Sequence, residues 1–122
     1  MQLIYIYEND ADIAFVLTTW LEQNGYTTMA FLSSESLIDH FNYSLPDCII
    51  LDNIFGGLAA TTDLCNLIQG EFNYKGKILL STTGKVTEEE WEACNAIDFI
   101  SKPFDLNDVL TMVKNAFGSA AS

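Results

Sequence analysis

The chain has 122 residues, 49% of them hydrophobic, with five Lys plus Arg against seventeen Asp plus Glu and a formal net charge of −12. That length suits one domain with a genuine core, and the charge balance excludes direct nucleic-acid binding, which needs clustered basic residues on a phosphate backbone. No apolar run reaches membrane-spanning length and the N-terminus lacks a basic start, apolar stretch and small-residue cleavage site, so a cytoplasmic location with no membrane partner is expected.

Leu3 to Tyr7 is an apolar run closed by Glu8-Asn9-Asp10. Ile13, Val16, Leu17, Trp20 and Leu21 then recur at helical spacing, and Asn24-Gly25 offers a left-handed C-terminal cap. Tyr26 to Phe31, with threonines and aromatics, suits a second strand. Ser33-Ser34 supplies N-cap chemistry for a helix through Leu37, Ile38 and Phe41.

Leu45-Pro46 breaks that helix, and Asp47 to Leu51 is continuously apolar after its first residue, as a strand buried on both faces would be. Asp52 closes it. Gly56-Gly57 leads to a third helix expected to be capped by Thr61 or Thr62, with Leu64, Leu67 and Ile68 inward and Gly70 past its end. Lys77 to Thr82 is another buried strand, followed by Thr83 and a fourth helix opened by the capping box Thr87 to Glu90. Glu88 and Glu89 favour the positive end of its dipole. Phe99 to Ser101 forms the last strand, Lys102-Pro103 follows, and Asp105 caps a fifth helix whose inner face is Leu106, Val109, Leu110, Val113 and Phe117. The domain is expected over residues 1–117, with 118–122 a short flexible tail. Cys48, Cys65 and Cys94 are odd in number, widely spaced and set in apolar surroundings, which fits reduced core thiols better than disulfides or zinc.

Five strands alternating with five helices predict an α/β fold: an open, doubly wound parallel sheet covered on both faces. Functional residues of such sheets gather beyond the C-terminal strand ends. There the sequence places Glu8, Asp52, Thr82 and Lys102. Two carboxylates suit a hard cation such as Mg2+, while a lysine and a hydroxyl can hold an anion. The set fits phosphoryl transfer to a carboxylate.

With Glu8-Asn9, Asp52, Thr82-Thr83, Phe99 and Ser101-Lys102-Pro103-Phe104 in this order, the chain resembles the receiver domains of bacterial two-component response regulators, from Leu3 to about Phe117. The resemblance implies a flavodoxin-like sheet of order 2-1-3-4-5. It implies phosphorylation of Asp52 by a sensor histidine kinase or small phosphodonor, with Mg2+ held by Glu8, Asn9, Asp52 and the backbone carbonyl of Ile54. Lys102 would pair with the phosphoryl oxygens, the Lys102-Pro103 bond would be cis, and Thr82 and Phe99 would act as the switch. A downstream protein would bind the face formed by the fourth helix, fifth strand and fifth helix, and a phosphorylation-dependent homodimer is one output such a face serves. The domain would be a phosphoacceptor assisting its own phosphoryl transfer, not a conventional enzyme.

Two departures stand out. Asn9 replaces the second of two consecutive acids, so weaker Mg2+ binding is expected. Asn53 to Ala60 replaces a loop that commonly carries proline and Asp-Gly, and Gly56-Gly57 adds an ordering cost. These changes motivate an alternative: a pseudo-receiver, an interaction module without regulated phosphorylation. A flavin carrier on the same topology fits poorly, because the acidic turn after the first strand would repel the flavin phosphate. A phosphatase with an aspartate nucleophile lacks its second aspartate, since Ile54 stands there. His40 reads as an ordinary surface residue, Trp20 as packing, and Trp91 as packing or part of a partner surface.

Overall fold

In a computed structural model, the structure describes residues 2–52, 57–82, 92 and 94–118. Its elements are β1 (Leu3–Tyr7), α1 (Ala11–Gln23), β2 (Thr27–Phe31), α2 (Ser34–Phe41), β3 (Cys48–Asp52), α3 (Gly57–Gly70), β4 (Lys77–Thr82), β5 (Asp98–Ser101) and α4 (Leu106–Ala116). The five strands form one sheet in the order β2-β1-β3-β4-β5, and every pairing is parallel. This is the flavodoxin-like arrangement expected. Four helices are described; the helix expected from Thr87 lies outside the described residues, as do Asn53, Ile54, Gly56 and Thr83.

The central strands β1, β3 and β4 are mainly apolar and buried because both faces are covered, so both side-chain directions are hydrophobic, whereas the edge strands β2 and β5 are more polar and partly exposed. On one face, Tyr5, Tyr7, Ile49, Leu51, Ile78 and Leu80 pack with Leu37 and Phe41 of α2 and Leu64, Cys65 and Ile68 of α3. On the other, Ile4, Ile6, Cys48, Ile50 and Leu79 pack with Leu17 and Leu21 of α1 and Val109, Met112 and Val113 of α4. The indole Nε1 of Trp20 donates to the Leu106 carbonyl at 2.8 Å, joining the two helices of that second layer.

Local chemistry sets the element ends. Asp10 caps α1, its Oδ1 accepting from the backbone N–H groups of Asp12 and Ile13 at 2.9 and 3.2 Å. At the other end, Gly25 takes φ +95°, and the Gly25 and Tyr26 N–H groups return to the carbonyls of Glu22 and Leu21, a Schellman arrangement. Ser33 caps α2 and Asp105 caps α4.

The structure differs from the sequence reading in several places: Tyr26 and Asp47 lie just before β2 and β3, and Gly70 is the last residue of α3, not past its end. Helix α3 starts at Gly57 and Thr61 is buried within it, so neither Thr61 nor Thr62 is its cap; Leu58, Ala59 and Ala60 are strong helix formers and carry the helix upstream. Val16 is 44% exposed, and Ala14 takes its expected inward position. In α4 the buried set is Val109, Met112, Val113 and Ala116, while Leu106, Leu110 and Phe117 pack at the margin of the core. All three cysteines are buried and reduced. Burial pushes the Cys48 thiol up to about 12, and the hydrogen bond with Cys94, reinforced by burial, also raises the Cys65 thiol, which disfavours the reactive thiolate at both.

Asp10 follows Glu8 and Asn9 directly, yet its carboxylate serves the backbone of α1. Asp10→Ala should therefore lower stability by about 1 kcal/mol, read as a lower urea midpoint with unchanged slope.

Candidate functional site

Register and alternation decide what meets at the C-terminal sheet edge. Tyr7 pairs with Leu51, Leu51 with Leu80, Asp52 with Ser81 and Thr82 with Ser101. Side chains alternate along a strand. Continuing the series Ile4-Ile6, Cys48-Ile50, Leu79 and Ile100 puts Glu8, Asp52, Ser81 and Lys102 on the α1/α4 face. Thr82 continues the series Ile78-Leu80, and Phe99 packs against the cluster on the α2/α3 face.

Glu8 and Asp52 are 2% and 1% exposed. Two carboxylates so deeply buried need a cation, and Lys102 supplies it. Its Nζ donates to both Glu8 oxygens at 2.8 Å and stands 3.4 Å from Asp52 Oδ2. The Lys102 N–H donates to the Thr82 carbonyl at 2.6 Å, which anchors the lysine backbone to the end of β4. The Lys102-Pro103 bond is cis. Beside it, Ile13, Lys102, Pro103 and Phe104 line a largely apolar groove of about 400 Å³.

One ammonium does not neutralise two carboxylates. Burial pushes the Glu8 carboxyl up to about 6; the hydrogen bond from Lys102 opposes this, and the neighbouring Asp52 adds to it. The pocket thus carries excess negative charge in a poorly hydrated setting, which fits a divalent cation. Glu8 and Asp52 would be its carboxylate ligands. Among the described residues no group of three or more His, Cys, Asp or Glu could hold a metal, so the remaining ligands would be amide, carbonyl and water oxygens. Asn9, exposed at the next position, carries such an amide.

Glu8, Asp52 and Lys102 are therefore brought together. Thr82 stands at the same edge, buried, one residue beyond Ser81. Phe99 is partly buried in β5 and borders a cavity of about 190 Å³ with Asp98, Asp108, Thr111 and Asn115. Ile54 lies outside the described residues. Ser81 escaped the sequence reading: it is 2% exposed and its Oγ makes no hydrogen bond among the described residues. The available signal was a serine directly after the buried apolar run Ile78-Leu79-Leu80.

The family description "Response regulator receiver domain" matches residues 4–114. The chain belongs to that family. Among curated proteins, this receiver domain is similar to the heme response regulator HssR of Staphylococcus saprophyticus, 19% identical over 114 residues that cover 93% of this chain and 50% of that protein. The receiver domain thus spans half the length of that relative. A response regulator from Thermotoga maritima superposes with TM-score 0.83 at 18% identity, covering 97% of this chain and 98% of the other. A two-component response regulator from Clostridium difficile gives 0.83 at 22% identity with both chains fully covered. NtrX from Brucella abortus, solved with ADP, gives 0.80 at 21% identity over 98% of this chain and 27% of that one. Among the described residues, no helix is long and apolar enough to cross a membrane.

Removing Lys102 leaves two buried carboxylates without their cation. Lys102→Ala should destabilise the domain by about 3–5 kcal/mol. The pH dependence has a definite sign. Glu8 titrates above its ordinary value, so the folded state takes up protons more readily than the unfolded one, and low pH relieves the repulsion. Urea titrations should show a larger loss at about pH 8 than at roughly pH 5; equal losses at both would contradict this electrostatic picture.

Proposed function

We propose that the domain is a phosphoacceptor of a two-component relay, phosphorylated on Asp52 with Mg2+ bound, and that it signals through another protein. The observation that carries this reading is Lys102 Nζ set between the carboxylates of Glu8 and Asp52, at 2.8 and 3.4 Å. An aspartate oxygen would attack the phosphorus of the donor. As the new O–P bond forms, the bond to the leaving group breaks. That group is acetate from acetyl phosphate, or the ring nitrogen of a phosphohistidine on a sensor kinase. Lys102 would follow the phosphoryl oxygens as negative charge gathers there, and Thr82 would donate its hydroxyl to them. Bound Mg2+ would neutralise charge on the transferring group. Glu8, Asn9, Asp52 and the Ile54 carbonyl are its proposed ligands, and the amide of Asn9 in place of a carboxylate weakens its hold.

The domain would assist its own phosphorylation without being a conventional enzyme. Donors would approach past the groove beside Pro103 and Phe104. Output would pass through Thr82 and Phe99 to the face built from β5, α4 and the helix expected from Thr87. A downstream protein would bind that face, and phosphorylation-dependent homodimerisation would use the same surface. Cytoplasmic location follows from the relay itself.

Incubation with Mg2+ and acetyl phosphate or phosphoramidate should raise the intact mass by one phosphate, and Asp52→Ala should abolish the gain. A wild-type domain that stays unmodified with several donors and a cognate kinase would overturn the assignment. A second reading, the pseudo-receiver, is favoured by Asn9, which removes a charge from the metal site. It is separated by magnesium titration followed by tryptophan fluorescence. On the phosphoacceptor reading, binding is Asp52-dependent and Asn9→Asp tightens it; absence of Asp52-dependent binding would favour the pseudo-receiver.

A further inference from the structure

The groove beside the charge cluster has no chemical task in the phosphoryl-transfer scheme, which uses it only as a path. Among the described residues it is lined by Ile13, Lys102, Pro103 and Phe104, is largely apolar, and has a volume of about 400 Å³. Ile13 and Phe104 are half-buried and pack at the margin of the α1/α4 core, so the fold holds these walls in place. Both sides of the groove lie just beyond strand ends that carry the charge cluster. Ile13 stands in the first turn of α1, shortly after Glu8, and Pro103 and Phe104 follow Lys102 directly.

Lys102 belongs to both features. Its Nζ stands 2.8 Å from Glu8 Oε1 and 3.4 Å from Asp52 Oδ2, and the same residue forms part of the groove wall. A lysine lays its methylene stem along apolar surface while its ammonium stays in a polar setting. Groove and phosphoacceptor are therefore separated by no more than the length of one side chain. In an in-line displacement the leaving group departs on the side away from the attacking oxygen, and so outward from the sheet edge that Ile13 and Pro103 rim. The chain carries a net charge of −12, which repels anionic donors overall; apolar burial of a donor's tail adds affinity that does not depend on charge.

We propose that the groove binds the apolar tail of an acyl phosphate, so that Ile13, Pro103 and Phe104 select short-chain acyl phosphates longer than acetyl phosphate as small-molecule donors. This rests on Asp52 being the phosphoacceptor. An Asp52 oxygen forms the new O–P bond, the bridging P–O bond of the acyl phosphate breaks, and its electron pair leaves with the fatty carboxylate. The tail keeps its contacts throughout, so its burial raises the second-order rate constant by tightening donor binding and leaves the chemical step unchanged.

The test measures second-order rate constants of phosphorylation by intact mass, with Mg2+ and acetyl, propionyl or butyryl phosphate, whose leaving carboxylates are nearly equal in basicity. Phosphoramidate, which has no acyl tail, is the reference in every protein, so a general loss of fold or activity cancels in the ratio. In the wild type each added methylene should raise the ratio about 2- to 4-fold. Ile13→Gln, which makes one wall polar, and Phe104→Ala, which removes the other, should each flatten the series. A flat or falling series in a wild-type protein that acetyl phosphate does phosphorylate would overturn the acyl-tail assignment, leave the groove to a protein donor, and keep Asp52 as phosphoacceptor. A rising series that persists in both variants would place the tail elsewhere and overturn it too. A wild-type protein that accepts no phosphate from any of these donors or from a kinase would overturn both readings together.

Discussion

Two carboxylates buried side by side repel each other and lose hydration, and the fold tolerates Glu8 and Asp52 there because Lys102 reaches both. The lysine comes from the end of β5, the glutamate from the end of β1 and the aspartate from the end of β3. No two of these strands are adjacent except β1 and β3. The contact therefore exists only when the strand order is correct, and β4, lying between, sets the distance that the lysine spans. In a chain with five basic residues against seventeen acids, one of the few ammonium groups is placed beside two buried carboxylates.

The same alternation separates chemistry from packing. Glu8, Asp52, Ser81 and Lys102 follow the α1/α4 face, whereas Phe99, three residues before Lys102, packs with the cluster on the α2/α3 face. Thr82 joins the two sides: its side chain continues the Ile78-Leu80 series while its carbonyl accepts the Lys102 N–H at 2.6 Å. On the proposed phosphoacceptor reading, a change of charge at Asp52 would pull on Lys102, whose N–H is bonded to the Thr82 carbonyl, and that linkage would give a local electrostatic event a route to the other face of the sheet.

Much of this was legible in the sequence because β1, β3 and β4 are mainly apolar runs closed by a polar residue. Asp52 after Ile49-Ile50-Leu51 and Lys102 after Phe99-Ile100 are visible without coordinates, and parallel topology then implies a shared edge. The start of α3 was not legible: Thr61 looks like a cap, but favourable helix formers before it carry the helix back to Gly57. Val16 fits a helical stripe by spacing, yet Ala14 is the residue that α1 buries beside Leu17 and Leu21. The partnering of Lys102 with both carboxylates depends on distances that no spacing encodes. Ser81 was hidden for a related reason: serine within a strand has no distinctive meaning until register sets it opposite Asp52.

If the charge cluster serves to place a phosphoryl group on Asp52, borohydride reduction of the phosphodonor-treated domain followed by peptide sequencing in a mass spectrometer reveals it directly, because reduction converts an aspartyl phosphate into homoserine. Conversion is expected at position 52 and nowhere else. Conversion at another acidic residue, or none in a protein that has gained phosphate, would contradict it.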